Sequence, residues 1–431
     1  MDGLPRRNSG TQRSVLPLAE ILSRFTEEFT HAMSDRRSAN ASVHNMRREA
    51  FFCSVAFMLS GIARVPNNAA WRAHTMNNVS LAHLKSAANK NALVTGATGF
   101  VGVHLIRKLL KEDFSVFAIA RDEKRLLELL GKISYDRLVI LKGDLLSTAD
   151  LEKLSHDLQN RVGDLHVVIH LVGGGPLTSN RNLAPQVFDL NYTTTANLVR
   201  SLEAANKLSS VPLFIYFSSL TAMGMPATQV DRMRYDETTA CNPVLPHGKA
   251  KLATEELLKD LAVKNKLKAV ILRFPQIYGG DNDPLIPVIN LIRKGVFPVV
   301  RNRVGTLPLI HLTDAVNATY AVIRDFYRIQ GNYAVNLICE NSYSYDYLTD
   351  LIKKKYGRGG TLKIPYWLLY LATFTIEGVF KVLDKPEPLN RLRLVSMTTD
   401  RIIDCRKFIE TFNFRFDHNL ESFVIDQLTL V

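Results

Sequence analysis

The sequence predicts an α/β fold in which a doubly wound parallel sheet is followed by a smaller C-terminal substrate-binding part. Three observations lead to this prediction. From residue 91 onwards short apolar stretches alternate with longer helical stretches, a glycine-rich turn follows the first apolar stretch, and polar or glycine residues end the later ones. Ligands bind beyond the carboxyl ends of parallel strands, so the last two observations also indicate a ligand site.

Residues 1–90 are predicted to lie outside this fold, either as a disordered extension or as a targeting segment. They hold 12 Lys and Arg against 6 Asp and Glu, and they lack sustained periodicity. A basic head at Met46–Ala50 precedes an apolar stretch at Phe51–Val65, which is typical of a targeting segment. From Met46 to Lys90 the only acid is Glu49. This bias predicts a mitochondrial location, and the chain is otherwise expected in the cytoplasm.

Composition excludes several classes of function. The 431 residues are 46% hydrophobic and 22% charged, as in ordinary globular proteins. The four cysteines are scattered without a CxxC pair, which argues against a disulfide scaffold or a zinc site, and no residues have metal-ligand spacing. The net charge is +13, but no Lys/Arg run carries interleaved aromatic residues, so no nucleic-acid partner is expected.

The first predicted strand, Ala92–Thr95, runs into a glycine turn and then into a helix that covers Val103–Leu110. In this turn Gly96 permits the tight bend, Gly99 lets backbone N–H groups approach phosphates, and Gly102 lets the helix pack against the strand. The positive end of the helix then faces an anion. The pattern predicts a site for the pyrophosphate of a dinucleotide.

The second strand, Ser115–Ala120, ends in Arg121-Asp122. A free ribose 2′-hydroxyl is usually bound by a carboxylate at this strand end, whereas a guanidinium there suits a 2′-phosphate. Arg121 therefore favours NADP, and Asp122 lies close enough to keep NAD as an alternative.

Later strands are predicted at Leu138–Leu141, His166–Leu171 and Leu213–Phe217, with a helix that opens at Asp189 and ends at Leu202. These strands run into Gly143-Asp144-Leu145, Gly173-Gly174-Gly175 and Ser218-Ser219, so these residues are expected to meet at one edge of the sheet. His170 lies within an apolar strand and is interpreted as a core histidine.

Residues 91 to about 430 resemble the extended short-chain dehydrogenase/reductases, the NAD(P)-dependent epimerase/dehydratase group. The resemblance rests on Thr95–Gly102, Gly143-Asp144-Leu145, Asn191, Tyr216–Ser219, Asp236–Thr239 with Glu255, Leu272–Gly279 and His311–Ala315. It implies a Rossmann-type domain over 91–275 and a substrate-side region over 276–431. Together with the glycine turn and Arg121, it gives the candidate cofactor-binding residues, namely Gly96, Thr98, Gly99, Phe100, Val101, Gly102, Arg121, Asp144, Leu145, Gly173, Lys251 and Pro275.

The family's catalytic residues carry over only in part. The resemblance assigns Ser219 to hydrogen-bond the reacting oxygen and Lys251 to bind the nicotinamide ribose, whereas His247 stands where the family has its proton-donating tyrosine. A neutral imidazole is a competent base near pH 7, and the charge of Lys251 would keep it neutral. Imidazole nevertheless ends short of a phenol hydroxyl, and a misplacement of about 1 Å can cost about 100-fold in rate. Altered catalysis and loss of turnover therefore both stay open.

The C-terminal part is expected to supply the substrate side. Residues 281–303 are predicted to form a loop and a helix over a pocket. The apolar segment Ile364–Phe374 resembles the C-terminal segment of the hydroxysteroid dehydrogenase and dihydroflavonol reductase branches. It could cap an apolar substrate, lie on a membrane surface or pack in the core, and core packing is favoured.

Three functions follow from these predictions. The first, which we favour at this level, is an NADP-dependent oxidoreductase that acts on an apolar alcohol or ketone. The second is a sugar-nucleotide epimerase or dehydratase, against which stands the lack of a basic cluster for a diphosphate beyond Arg301 and Arg303. The third is a non-catalytic nucleotide-binding subunit, such as an accessory protein of a respiratory complex. A small, apolar substrate is the expected partner, with peripheral membrane or complex association as a further expectation.

Overall fold

The computed structural model describes residues 90–131, 135–225, 230–280 and 283–428. The predicted targeting segment, from which the mitochondrial location was predicted, lies outside these residues. The strands, in chain order, are β1 (Lys90–Thr95), β2 (Phe114–Ala120), β3 (Leu138–Lys142), β4 (Val167–His170), β5 (Phe214–Ser219), β6 (Arg232–Tyr235), β7 (Ala269–Phe274), β8 (Gln276–Tyr278), β9 (Phe297–Val300), β10 (Thr306–His311), β11 (Tyr333–Leu337), β12 (Asn341–Ser344), β13 (Thr361–Ile364) and β14 (Asp400–Ile403).

The helices of the same part of the chain begin with α1, which follows the glycine turn. They are α1 (Gly102–Lys111), α2 (Glu123–Leu130), α3 (Thr148–Arg161), α4 (Ala184–Phe188), α5 (Thr194–Ala204), α6 (Pro246–Val263), α7 (Ile286–Arg293), α8 (Leu312–Asp325), α9 (Tyr345–Tyr356), α10 (Tyr366–Val382), α11 (Arg391–Ser396), α12 (Arg406–Phe412) and α13 (Leu420–Ser422). None of them is long and apolar enough to cross a bilayer.

A seven-stranded sheet forms the centre of the fold, in the order β11-β7-β5-β4-β1-β2-β3, and all of its pairings are parallel. This confirms the predicted doubly wound sheet. Strand residues point alternately to opposite faces, and both faces are covered because the strands are apolar throughout. In β1, for example, Ala92 and Val94 join one core with α1, α8 and α12, while Leu93 joins the other core with α3, α5 and α6.

The predicted helix at Asp189 begins earlier than expected. The structure starts α4 at Ala184, with Pro185 in its first turn, and a π-helical turn at Asp189–Thr193 joins it to α5. Proline is favoured in the first turn because that turn has no intrahelical N–H bonds to lose. The π turn includes Asn191, whose amide group binds the backbone of the loop after β4.

Smaller sheets lie outside the central one. Strands β12, β10 and β8 form one of them, and β13 pairs with β9 and β14 with β6. The strands cross the predicted division at residue 275, since β6 precedes it and pairs with β14, whereas β11 follows it and lies in the central sheet. The preference for core packing of the apolar segment 364–374 is wrong for most of that segment: in α10 only Leu369 and Thr373 are buried. One narrow side of α10 packs against its neighbours, including α11, and the described part of the chain does not cover the rest.

Candidate active site

The turn after β1 requires its glycines. Gly96 has a φ of +69°, and its carbonyl oxygen accepts a hydrogen bond from Gly99 N at 2.9 Å. A Cβ at Gly102 would overlap that same carbonyl oxygen, so α1 can start this close to β1 only with glycine there. No side chain caps the N-terminus of α1, and Thr98 and Gly99 are exposed. Uncapped backbone donors at a helix start suit a pyrophosphate.

Arg121 and Asp144 meet beyond the ends of β2 and β3. The Nη1 atom of Arg121 lies 3.6 Å from Oδ2 of Asp144, and the Arg121 side chain is 76% exposed. Asp122, in contrast, is engaged in capping α2, because its Oδ1 accepts a hydrogen bond from Arg125 N at 3.0 Å. Leu145 is buried beside Asp144. The adenosine end of the site therefore offers an accessible guanidinium and one carboxylate.

Asn191 fixes the glycine loop that follows β4. Its Oδ1 accepts from Gly174 N at 3.0 Å, and its Nδ2 donates to Gly174 O at 2.7 Å. A Cβ at Gly173 would lie 2.6 Å from Nζ of Lys251 and 2.7 Å from Oδ1 of Asn191. Glycine is therefore required where the loop passes the predicted catalytic lysine. The resemblance included Asn191, but the site prediction omitted its positioning role.

His247 is the second residue of α6 and is buried. Its Nδ1 lies 3.0 Å from Gly174 O. A carbonyl oxygen only accepts, so Nδ1 carries the proton and Nε2 keeps its lone pair. Burial, and secondly the charge of Lys251, lower the pKa of His247 to about 4. The imidazole is therefore neutral at pH 7, and its Nε2 is free of a proton.

Lys251 lies one helical turn after His247 and is also buried. Its Nζ donates to Phe217 O at 2.7 Å and lies 4.7 Å from the centre of the Tyr216 ring. Burial lowers the pKa of Lys251 to about 7, although the charge of Glu255 opposes the shift. This lysine therefore changes its charge near neutral pH.

A buried ion pair supports this part of α6 against the sheet. Arg273 of β7 binds Glu255 through two nitrogens, with Nη2 to Oε2 at 2.6 Å and Nε to Oε1 at 3.1 Å. The hydroxyl of Ser218 donates to the same carboxylate. Glu255 thus links α6 to β5 and β7, and it holds the helix that carries both His247 and Lys251.

A cavity of about 680 Å³ opens beside these residues. Ser219, His247 and Pro275 line it, and the hydroxyl oxygen of Ser219 accepts from Thr221 N at 3.2 Å, which leaves its own hydrogen for a substrate. The residues expected to close the pocket are present too, because Pro284, Leu291 and Phe297 of segment 281–303 form one wall. Most of the lining is apolar, and it further includes Leu177, Leu220, Met225, Val288, Leu307, Leu389, Met397 and Ile403.

Two arginines in this cavity were missed by the sequence analysis. Arg393 and Arg401 line it, and both side chains are partly buried. Arg393 Nη1 donates to Pro388 O at 2.8 Å and Arg401 Nη2 to Thr306 O at 2.6 Å, whereas the Nε atom of each has no hydrogen-bond partner among the described residues. Burial lowers the pKa of both guanidinium groups. The sequence analysis named only Arg301 and Arg303 as candidate cations for a diphosphate, and the cavity adds Arg393 and Arg401 to them. In the sequence, the only local indication of Arg393 and Arg401 as cavity residues is that arginines alternate with apolar residues in segment 391–403.

Other predicted histidines are structural. His170 is fully buried, with Nδ1 2.7 Å from Oγ1 of Thr95 and Nε2 2.9 Å from Oγ1 of Thr195. This confirms it as a core histidine. Among the described residues no group of His, Cys, Asp and Glu could hold a metal ion.

Comparison with known proteins assigns the family. Residues 92–337 match the sequence model of the NAD dependent epimerase/dehydratase family. The chain belongs to this family. A bifunctional UDP-glucose 4-epimerase and UDP-xylose 4-epimerase of Arabidopsis thaliana is 30% identical over 233 residues, which are 49% of this chain and 63% of that enzyme. A decarboxylating sterol-4-alpha-carboxylate 3-dehydrogenase of Dictyostelium discoideum is 24% identical over 276 residues, 62% of this chain and 76% of that enzyme.

Solved structures of the family share the fold. The UDP-glucose 4-epimerase of Thermotoga maritima, solved with UDP-glucose, superposes with a TM-score of 0.58 at 19% identity and covers 78% of this chain and 96% of its own. The UDP-glucose 4-epimerase of Brucella ovis, solved with NAD, gives a TM-score of 0.59 at 18% identity, with coverage of 78% and 96%. The Rossmann-type fold of the epimerase/dehydratase family is thereby established for this chain.

Proposed function

We propose that this chain binds NAD or NADP and carries out reversible hydride transfer at a carbinol carbon of a sugar nucleotide, as an epimerase or dehydratase. The observation that carries the proposal is the pair of partly buried arginines, Arg393 and Arg401, that line the cavity together with Ser219 and His247. Support also comes from the curated relatives, several of which are UDP-sugar 4-epimerases. An apolar alcohol or ketone, the substrate favoured from sequence, has less support from these relatives.

The residues present fit the dinucleotide. The glycine turn at 96–102 leaves no room for a Cβ at Gly102, and the uncapped start of α1 supplies donors for the pyrophosphate. Lys251 and Gly173 would hold the nicotinamide half, and Arg121 with Asp144 the adenosine half. When bound there, the dinucleotide would supply a reversible hydride acceptor for the substrate carbon.

His247 would act as the base. Its Nε2 lone pair accepts the proton from the substrate hydroxyl while the carbon loses its hydride, and a ketone results. Because the pKa of His247 is lowered to about 4, the imidazolium returns the proton readily when the ketone is reduced again. Ser219 donates its hydroxyl hydrogen to the substrate oxygen throughout. Because the same residue removes the proton and later returns it, this mechanism suits a reaction without net oxidation, as in an epimerase.

Arg393 and Arg401 would bind the diphosphate. A guanidinium pairs with two phosphate oxygens at once, and burial lowers the pKa of both arginines, so an anion beside them would stabilise their charged form. An anionic substrate would supply that counter-ion and position the sugar towards His247.

The experiment is to incubate the full-length protein with UDP-glucose and NAD and to measure UDP-galactose by chromatography. We expect conversion, loss of at least about 100-fold in Arg393→Met or Arg401→Met, and unchanged rates in the exposed control Arg358→Met. No conversion of any nucleotide sugar, with NAD binding intact, would refute the proposal and leave the non-catalytic subunit.

A second candidate rests on the lining of the cavity. Apart from the arginines its walls are mostly apolar, with Leu220, Met225 and Leu389 among them. This lining favours an apolar alcohol that carries an acidic group, and one relative is named as a sterol-4-alpha-carboxylate dehydrogenase. Formation of NADH or NADPH with a hydroxysteroid carboxylate, but not with nucleotide sugars, would favour this candidate.

A further inference from the structure

Helix α10 presents an apolar face that the described part of the chain does not cover. Its residues Trp367, Leu371, Phe374 and Val382 are 66%, 56%, 62% and 87% exposed. At 3.6 residues per turn they share the face opposite the buried residues Leu369 and Thr373. An ordinary surface helix buries its apolar face and exposes its polar one. In α10 the exposed face is as apolar as the buried one.

Positive charges flank this face at both ends. Lys363 precedes the helix, Lys381 lies in its last turn and Lys385 follows it; all three are exposed and none forms an ion pair with another described residue. Arg301 lies at the first end, where its backbone N–H donates to Ile364 O at 2.9 Å. Among the described residues 361–385, Asp384 is the one acidic residue that is exposed.

We propose that α10 binds the surface of an anionic lipid bilayer, with the helix axis parallel to the membrane. Exposed Trp, Phe and Leu residues enter the boundary between head groups and acyl chains, and lysines at the helix ends bind anionic head groups. Tyr366 and Tyr370 lie on the flanks, where amphipathic rings are favoured. The proposal is independent of the substrate.

A second copy of the chain suits this face less well. Both ends of α10 are positive, so a two-fold contact between two α10 helices brings cations opposite cations in either orientation. A leaflet that contains phosphatidylserine offers an apolar interior and a negative surface at once, and it complements both features.

Trp367 makes the proposal directly measurable. The sequence has two tryptophans, so Trp71→Phe leaves Trp367 as the only indole. We would titrate this full-length variant with vesicles of phosphatidylcholine and phosphatidylserine at a ratio of about 7:3, at low and high salt. We expect a blue shift of the fluorescence, co-sedimentation with the vesicles, and weaker binding to vesicles of phosphatidylcholine alone.

Leu371→Glu and Val263→Glu form a matched pair, since Val263 is 69% exposed at the end of α6. Leu371→Glu should lower the partition coefficient by at least about tenfold, and Val263→Glu by less than about twofold. Circular dichroism should show that both variants stay folded. The proposal is overturned by equal losses in the two variants, by unshifted Trp367 fluorescence, or by ultracentrifugation that shows a dimer dissociated by Leu371→Glu.

Discussion

At the scale of single residues, the proposed base His247 stands where the family resemblance places a proton-donating tyrosine. A neutral imidazole with its lone pair on Nε2 accepts a proton, and it does not donate one at pH 7. The proposed catalytic pair is therefore a base of low pKa and a lysine whose pKa is lowered to about 7. Burial is the largest cause of both pKa shifts, so the pH dependence of activity should reflect how far His247 and Lys251 are shielded from water.

This pair predicts a bell-shaped pH profile. His247 must be neutral, so kcat/KM should fall as the pH drops through about 4. Lys251 must be charged to bind the ribose hydroxyls, so kcat/KM should also fall as the pH rises through about 7.

His247→Gln keeps a donor for Gly174 but has no basic nitrogen, and it should lower kcat by at least about 100-fold. Full activity of His247→Gln would exclude the histidine as the base.

Arg121 predicts the choice between the two dinucleotides. Its exposed guanidinium lies at the adenosine end, and Asp122 is occupied by its cap of α2. Arg121→Ala should raise the Kd for NADP by about tenfold and leave the Kd for NAD within about twofold, because only NADP has a 2′-phosphate to pair with arginine. Arg125→Ala, also exposed, is the control for general charge effects. Calorimetry measures both constants; equal losses for the two dinucleotides would show that Arg121 does not select between them.

At the scale of elements, the nucleotide-binding half was predictable because its signals are local. The strand β1, the glycines and α1 follow one another within about 20 residues, and each obeys a steric rule. The substrate side was less predictable. Arg393 and Arg401 reach the cavity only through tertiary packing, and the apolar composition of α10 indicates burial without showing that its outer side has no neighbour.

Gly102 tests whether the start of α1 is set by sterics. In Gly102→Ala the new Cβ would overlap the carbonyl oxygen of Gly96, so the turn must move. We expect a loss of about 1–3 kcal/mol in the free energy of unfolding and at least about tenfold weaker dinucleotide binding. Gly378→Ala is the matched control: its Cβ meets no atom within 4 Å, and it should stabilise α10 by up to about 1 kcal/mol. Unchanged binding in Gly102→Ala would show that the turn tolerates a side chain.

At the scale of the whole molecule, burial lowers the pKa of several basic groups, and it outweighs the carboxylates that lie near two of them. Burial lowers the pKa to about 3 for His170, about 4 for His247 and His311, and about 7 for Lys251. Each of these groups binds a proton more weakly in the folded chain than in the unfolded chain. Burial raises the pKa of the carboxyl groups of Asp283 and Glu340. These two groups bind a proton more strongly in the folded chain than in the unfolded chain, so at acid pH they act against the basic groups.

The stability of the ligand-free protein should therefore increase with pH. Between about pH 4 and 6.5 the unfolded chain holds protons on histidines that are neutral in the folded chain, so raising the pH favours folding. Above about pH 7 Lys251 acts in the same direction, up to its unfolded pKa near 10.5. Each histidine that stays neutral when folded should contribute about 1.4 kcal/mol per pH unit within its window.

Urea unfolding at pH 5, 6, 7 and 9 measures this dependence, and His247→Gln is the variant that isolates one group. Its slope between pH 5 and 6 should be smaller than that of the native chain by about 1.4 kcal/mol per pH unit, because one titrating site has been removed. The exposed control His156→Gln should keep the native slope. A native chain that is most stable near pH 5, or equal slopes in the two variants, would mean that the buried histidines are protonated in the folded state. In that case His247 could donate a proton, as the tyrosine of the family does, and the assignment of His247 as the base would be reversed.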